Sequence, residues 1–346
     1  MVILELNFEK GWRGGERQTV YNMQGFRNAG ISTHLICRKN SALESKALKE
    51  GFTVHSFNSV FAVIFFLISK GRKYNCLHVQ TSHILTYCVF TKWFHRRKVI
   101  FTRRVNFTPK GFFTKLKYSL TDKIVVISNE IKNTIVNFCG RTDIEIISDI
   151  VVKQPANETR AKEIHYSHNN TGKHITGTTS AFTEEKDPFT MLEAVKKLSQ
   201  KRNDFVFLHF GDGPLMEQIR KKIIADDLTH VYQLKGFTES VHDFLPSLEV
   251  FVMTSTQEGL GSSVLDAFIN NVPVVSTNAG GLKELLQNER GILCNIGDSD
   301  AIAEGINIFL NDPIKKETYV DNAFNYVRQY HSMDHITQQY ISLINK

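Results

Sequence analysis

No C-x-x-C pair occurs in the 346 residues, and the five cysteines (Cys37, Cys76, Cys88, Cys139, Cys294) are scattered and odd in number. Reduced thiols in a cytosolic compartment are expected, not a disulfide framework or a structural zinc site. The longest apolar run, residues 60–68, is nine residues. As a helix it would span about 14 Å against the roughly 30 Å hydrocarbon core of a bilayer, too short to cross it. The opening MVILELNF reads as a first β-strand with no basic n-region or cleavage site, so no signal peptide is expected. Short-period repeats and low-complexity segments are missing as well. With 42% hydrophobic and 22% charged residues, the chain has the composition of an ordinary soluble protein. Its length predicts two domains.

Acid is absent from one long stretch. Residues 51–121 hold twelve Lys and Arg and no Asp or Glu. Residues 1–150 carry 23 basic against 10 acidic residues, and the other 196 carry 19 against 25, so the net charge of +7 conceals a basic half and an acidic half. A one-sided field of that size fits a membrane surface, a nucleic acid or a phosphorylated substrate. A solvated basic face without a partner would look the same. No helix-turn-helix, zinc or RNP pattern supports nucleic acid. Residues 60–73 and 110–118 join aromatics to cations, as interfacial segments do. The first is expected to be a buried helix of an α/β domain; the second is a candidate for membrane or acceptor contact.

Strand-type runs at 2–6, 33–37, 76–80, 99–102, 123–127 and 144–147 alternate with helical periodicity, as at 17–29 and 130–138. The grammar repeats at 174–178, 206–210, 231–234, 250–253 and 274–277. Alternation of this kind predicts an α/β class with parallel sheets covered by helices, and two series predict two doubly wound domains. The polar segment 153–173 is the best linker, and the tail from 314 reads as two helices broken near His331-Ser332. Ligands of such sheets bind beyond the carboxyl ends of the strands, which makes the cleft between two facing domains the expected site.

Four segments follow strands. Gly11-Trp12-Arg13-Gly14-Gly15-Glu16-Arg17-Gln18 could bring backbone close to a phosphate, although it is not a G-x-G-x-x-G. Gly211-Asp212-Gly213-Pro214 opens another helix. Taken alone, both are also what a tight β–α turn requires. Lys186, in Glu185-Lys186-Asp187-Pro188, would stand at the site's mouth as a point charge for phosphate. The fourth segment, Glu258-Gly259-Leu260-Gly261-Ser262-Ser263-Val264-Leu265-Asp266, carries the most. Ser262 is a credible N-cap for a helix from Ser263, whose amides would face a diphosphate. Glu258 and Asp266 would flank it, carboxylates suited to accept hydrogen bonds from sugar hydroxyls. Asp298-Ser299-Asp300, the only D-x-D, reads better as a helix cap than as a metal site.

In order and spacing these segments resemble the family-4 glycosyltransferases of the GT-B fold, retaining enzymes that use nucleotide-sugar donors. The resemblance rests on GGERQ, VVIS at 125–128, EKDP at 185–188, GDGP at 211–214, EGLGSSVLDA at 258–267 and VPVVSTNAGGLKE at 272–284. It implies two Rossmann-like domains facing across a cleft: an acceptor-side domain at 1–160, with the helix at about 331–346 packing back on it, and a donor-binding domain at 161–330. Catalytic roles fall to Glu258, beside the transferring sugar, and Lys186, on the diphosphate. Donor contacts are implied for Gly14, Gly15, Arg17, Gly211, Gly213, Gly259, Leu260, Gly261, Ser262, Ser263 and Asp266. The Gly280-Gly281 turn with Glu284 is given a structural role.

Three departures accompany the likeness. Ala181 stands where the family has Arg, so charge must come from Arg17, Arg103 or Arg104, or hydroxyls of residues 178–180 must compensate. Asp266 replaces Glu. Arg104 stands where the family often has His, and a guanidinium is no base at neutral pH; Arg103 and Arg104 become phosphate or acceptor candidates with His83, while His78 is expected to be packed. No metal and no cofactor beyond the nucleotide-sugar are expected. Partners implied are a glycan or lipid-linked acceptor of lipopolysaccharide or surface-polysaccharide synthesis and an anionic membrane, at the inner face of the cytoplasmic membrane, with no nucleic acid. A GT-B enzyme of another reaction, such as a nucleotide-sugar epimerase, is the alternative.

Overall fold

A computed structural model describes residues 1–157, 159–160, 172–238 and 240–346. The chain divides into two units, Met1–Ile150 with Tyr330–Lys346, and Val151–Gln329. The division falls ten residues earlier than the expected one at 160, and the C-terminal helix belongs to the first unit. Within the linker segment 153–173, Glu158 and residues 161–171 lie outside the described residues.

In the first unit, β1 (Val2–Leu6), β2 (Ser32–Arg38), β3 (Thr53–Phe57), β4 (Cys76–Val79), β5 (Lys98–Arg103), β6 (Lys123–Val126) and β7 (Ile144–Ile146) form one parallel sheet in the order 3-2-1-4-5-6-7. The helices between them are α1 (Gly14–Asn28), α2 (Ala42–Lys49), α3 (Val60–Lys70), α4 (Ser82–Phe90), the single turn α5 (Lys92–His95), α6 (Phe112–Leu120) and α7 (Asn129–Cys139). Right-handed crossovers put α1 and α2 on one face and α3 to α7 on the other. Central strands are covered on both faces: Ile3, Leu4, Leu77, Val79, Val99 and Ile100 are fully buried.

The second unit repeats the plan with β8 (His174–Thr179), β9 (Phe205–Phe210), β10 (Tyr232–Gly236), β11 (Val250–Met253), β12 (Val274–Thr277) and β13 (Ile292–Cys294), in the order 10-9-8-11-12-13. Its helices are α8 (Pro188–Ser199), α9 (Met216–Ala225), α10 (Ser262–Ile269), α11 (Gly281–Leu286), α12 (Ser299–Asn311) and α13 (Pro313–Tyr330). Phe182, Leu192, Val195, Phe205, Phe207 and Phe309 pack in its core. Asp298 caps α12 by accepting from the Ala301 amide at 2.9 Å, and Asp300 pairs with Lys197 at 2.6 Å.

The last helix, α14 (Met333–Asn345), packs on α1. The approach is close at Gly25, where a Cβ would sit 2.1 Å from the Thr337 hydroxyl oxygen. Tyr340 meets Phe26 edge-on with centroids 6.3 Å apart. At the break between the last two helices, His331 Nδ1 bonds the Asp149 carbonyl at 3.0 Å and Ser332 caps α14.

Two strands escaped the sequence reading, and both have a physical reason. β3 is an edge strand whose residues are half-buried or exposed, and β13 is a three-residue edge strand whose middle residue, Leu293, is exposed, so neither reads as a buried apolar run. A third correction concerns α3. It buries Val63, Phe66 and Leu67 but leaves Phe61 82% and Phe65 73% exposed, so it is not the buried helix expected.

Candidate functional site

Because β8 and β11 are neighbours in the second sheet, the loops after them meet at its carboxyl edge. The β8 loop turns at Glu184–Lys186 into α8, whose first residue is Pro188 and whose cap, Asp187, accepts from the Thr190 amide at 3.1 Å. Side chains and backbone of the β11 loop hold this turn. The Thr254 hydroxyl donates to the carbonyls of Lys186 (3.0 Å) and Asp187 (2.9 Å), and the Thr256 amide donates to the Glu185 carbonyl at 2.9 Å. Thr277, at the end of β12, donates to the Ser255 carbonyl at 2.6 Å.

These bonds set Lys186 against Glu258. The ammonium hydrogen-bonds the Glu258 carboxylate, with side chains 22% and 17% exposed. The Ser255 hydroxyl adds a longer bond to the same oxygen, 3.4 Å. Behind Glu258, the Gly281 amide donates to its carbonyl at 3.2 Å, and a Cβ on Gly280 would lie 2.1 Å from that carbonyl oxygen. No other residue fits there, which gives the Gly280-Gly281 turn its work.

The helix after Glu258 starts one residue earlier than expected. Gly261, at φ +101°, is the cap, and Ser262 is the first helical residue. In helix geometry the first-turn amides, at Ser262 and Ser263, have no acceptor within the helix. Gly259 and Leu260 lead into this turn, Leu260 with its side chain buried, and the Ser263 hydroxyl reaches the Thr179 carbonyl at 3.4 Å. Asp266 is half-buried on the second turn of α10. Gly211 and Gly213 lie on the neighbouring β9 turn, which is zipped to the β8 loop: Ser180 and Phe182 donate to the carbonyls of Phe210 and Asp212 at 3.0 and 3.1 Å. Together the second unit brings a cation, a carboxylate and a helix N-terminus to one edge. That arrangement can hold a phosphorylated ligand by its phosphate and a hydroxylated portion by the carboxylate.

Ala181 is exposed, with no cation in its place. Of the substitutes suggested for it, Thr178, Ser180, Arg103 and Arg104 are buried or engaged within the fold. Thr178 is fully buried, and Ser180 bonds His209 at 3.1 Å. Arg103 is 2% exposed and donates to the Tyr118 hydroxyl at 2.9 Å and to the Phe107 carbonyl. Burial lowers its pKa, with Tyr118 acting against that. Arg104 pairs with Asp149 at 2.9 Å and hydrogen-bonds Gln80. Both guanidiniums are tied down within the first unit, Arg103 through its two terminal nitrogens and Arg104 through Asp149 and Gln80.

At the carboxyl edge of the first sheet, α1 begins at Gly14. A Cβ on Gly15 would meet open space, and Arg17 lies in the same first turn. The Glu16 carboxylate accepts from the Arg13 amide at 2.8 Å, while Gln18 makes paired 2.8 Å bonds with the backbone of Ile150. His83 is exposed on the first turn of α4. Lys117 donates to the Ser82 carbonyl and hydroxyl at 2.9 Å, and burial followed by Arg103 lowers its pKa. His78 is buried, as expected: Nδ1 meets Glu5 at 2.7 Å and Nε2 meets Thr102 at 2.8 Å. Gln80 joins Glu5 at 2.8 Å, and the Tyr340 hydroxyl lies 3.0 Å from that of Thr102. Sequence reasoning missed Glu5, Gln80, Asp149 and Tyr340 altogether. Their partners are up to 238 positions away, and no spacing signals them.

Among the described residues there is no group of three His, Cys, Asp or Glu placed to hold a metal, and no helix long and apolar enough to cross a membrane.

Residues 160–326 match the family model for glycosyl transferases group 1. Among curated proteins, 2-deoxystreptamine N-acetyl-D-glucosaminyltransferase of Niallia circulans is 34% identical over 134 residues, 38% of this chain and 34% of that protein. The lipopolysaccharide core biosynthesis glycosyltransferase LpsE of Rhizobium meliloti is 27% identical over 164 residues, 47% of each. The chain thus spans a third to a half of the length of these relatives. Among solved structures, Anabaena HepE in complex with UDP-glucose superposes with a TM-score of 0.85 at 18% identity, over 100% of this chain and 99% of that one. The fold is therefore GT-B, and residues 160–326, just under half of the chain, resemble the glycosyl transferases group 1 family.

Proposed function

We propose that the chain is a retaining, family-4-type glycosyltransferase that moves a sugar from a nucleotide-sugar to a glycan or lipid-linked glycan acceptor in the synthesis of a cell-surface polysaccharide or lipopolysaccharide. The observation that carries this is the Lys186–Glu258 pair beside the start of α10. As they stand in the structure, the two charges neutralise each other. A donor diphosphate takes over Lys186 and the amides of Ser262 and Ser263, and Glu258 is released to accept hydrogen bonds from the sugar. Asp266 holds the ribose hydroxyls. As the sugar–phosphate bond breaks, negative charge grows on the diphosphate, where a fixed cation and fixed amides stabilise it most. The leaving phosphate takes the acceptor's proton on the same face, so no second carboxylate is needed and no metal is called for. Gly15 and His83 are the first unit's donor and acceptor contacts. Work at the inner face of the cytoplasmic membrane fits the first unit's excess of basic residues.

A thermal-shift screen of nucleotide-sugars tests the donor, since a ligand that binds only the folded state raises Tm. One nucleoside diphosphate sugar is expected to raise it. Glu258→Ala should then reduce transfer at least about a hundredfold, the worth of hydrogen bonds to a charged group, with Tm preserved. Near-normal turnover by that variant rejects the site.

A further inference from the structure

The helical layer α3 to α6 carries apolar surface that the fold does not use. On α3, Phe61 (82% exposed), Phe65 (73%) and Ile68 (38%) recur at helical spacing, opposite the buried stripe Val63, Phe66 and Leu67. The turn α5, packed against α3, holds Trp93 out at 81% exposure. Beside it, a groove of about 700 Å³ is lined by Phe90, Trp93, Leu120, Lys92, Arg96 and Arg97. Single exposed apolar residues are ordinary; a run of large ones across neighbouring helices marks an interaction surface.

The base under Trp93 is fixed by cations. Arg72 Nε donates to the Phe94 carbonyl at 2.7 Å, and Arg97 Nε donates to the Arg72 carbonyl at 3.1 Å. Arg96 caps α5 in the left-handed region, and no carboxylate among the described residues pairs with it. The one acid lining the groove, Asp122, is held by Lys92 at 2.6 Å. Rings and aliphatic side chains ringed by cations, with no free acid, complement a surface that is apolar inside and anionic outside. That is a bilayer with acidic headgroups, where Trp settles at the interface and each Lys or Arg adds attraction. Phe112 and Phe113, 74% and 77% exposed, begin α6 beyond the carboxyl end of β5, on the acceptor side, and are left to the acceptor.

We propose that the outer face of α3 with α5 is the surface by which the chain rests on an anionic lipid bilayer, with Trp93 as its anchoring ring. This rests on the reading that the chain works at a membrane, and it is measured without any transfer assay. The chain has two tryptophans, so Trp12→Phe leaves Trp93 as the sole reporter. With vesicles of phosphatidylglycerol and phosphatidylcholine, the full chain should pellet, and Trp93 emission should shift to the blue and be quenched by brominated acyl chains. Pure phosphatidylcholine vesicles should do neither. In the two-tryptophan chain, Phe61→Ser with Phe65→Ser should weaken pelleting at least about tenfold, and Arg96→Ala about fivefold. Phe112→Ser with Phe113→Ser should leave it within about twofold, the fraction of a kcal/mol expected away from a contact. Circular dichroism should show all variants folded, as Phe61, Phe65, Arg96, Phe112 and Phe113 are exposed and Trp12→Phe keeps an aromatic ring at a partly buried position.

Pelleting with unshifted Trp93 emission overturns the proposal, as do no pelleting, a larger loss from the α6 variant, or tighter binding to a single-stranded oligonucleotide than to vesicles. A chain that transfers sugar to a water-soluble acceptor yet ignores anionic vesicles refutes the docking face alone. Vesicle binding by a chain that uses no nucleotide-sugar refutes the transferase alone.

Discussion

At the carboxyl edge of the second sheet, Lys186 and Glu258 meet in loops with about a fifth of each side chain exposed, and backbone groups do most of the holding. At the same edge of the first sheet, Glu5, His78, Gln80 and Asp149 are buried, with Arg104 nearly so, and their side chains hold one another. One edge keeps its charges within reach of a ligand. The other uses them to fasten β1, β4, the loops after β5 and β7 and the last helix together. A charged residue at a strand's end is thus no evidence of ligand binding until its partners are known. Arg104 is the instructive case, since its place in the chain suggested a ligand and its contacts are Asp149 and Gln80.

Opposite losses should follow from one substitution at each edge. Lys186→Met removes the cation that stabilises the leaving diphosphate, so kcat should fall about 10²- to 10³-fold, as when a positioned donor is removed. Its Tm should change little, because an ion pair that solvent still reaches contributes about 1 kcal/mol or less. Arg104→Met leaves Asp149 buried without its partner and should cost about 3–5 kcal/mol of stability, read by urea unfolding. Residual folded Arg104→Met protein should keep most of its turnover. If Lys186→Met unfolds the chain, or Arg104→Met is stable and inactive, the contrast between the edges is wrong.

The same contrast explains what could be read from the sequence. The donor-side segment was legible because its chemistry is local: Glu258, Gly261 and Asp266 lie within nine consecutive positions, and glycines announce where backbone must pass closely. Even there the cap was misplaced by one, since a serine before an apolar helix looks like a cap whether or not Gly261 already serves. Eleven of the thirteen strands among the described residues were legible as β-type runs, because parallel strands buried on both faces are continuously apolar. The buried network of the first unit was invisible: the His78–Glu5 and Thr102–Tyr340 pairs span 73 and 238 positions. Exposure of Phe61 and Phe65 was invisible too, since a helix apolar over its first nine residues, as α3 is, does not reveal which face it turns to solvent.

A buried histidine in the second unit gives a smaller effect. His209 is fully buried, stacked on Phe182 at 3.9 Å, with Nδ1 at 2.7 Å from the Tyr232 hydroxyl and Nε2 at 3.1 Å from the Ser180 carbonyl. Burial pushes its pKa down to about 3, against a weaker opposing bond to Ser180. The unfolded chain titrates near the ordinary value of about 6.5, so between those values it binds the extra proton and the folded chain does not. Stability on this account is full above about 6.5 and declines as pH falls toward 3. From pH 7 to pH 5 the loss should be about 2 kcal/mol. His209→Gln should remove that part of the pH dependence while lowering stability at pH 7. An unchanged slope in the variant would mean that His209 is not excluded from protonation, and that the second unit admits charge to its interior as the first does.

The smallest effect expected lies on α10. Asp266→Glu adds one methylene to a half-buried side chain on the helix that follows Gly261. Glu is the better helix former by a few tenths of a kcal/mol, and its longer reach keeps a carboxylate available to the ribose. The variant should hold Tm within a degree or two, and its KM for the donor should change less than about threefold, under 1 kcal/mol. Asp266→Ala, which removes the acceptor, should raise KM by tenfold or more, since hydrogen bonds to a charged group contribute about 1.5–3 kcal/mol, while kcat changes less. That split separates a residue gripping the unreacting end of the donor from Lys186, whose loss should appear mainly in kcat. A fall in kcat for Asp266→Ala as large as that for Lys186→Met would merge the two roles and place Asp266 at the reacting bond.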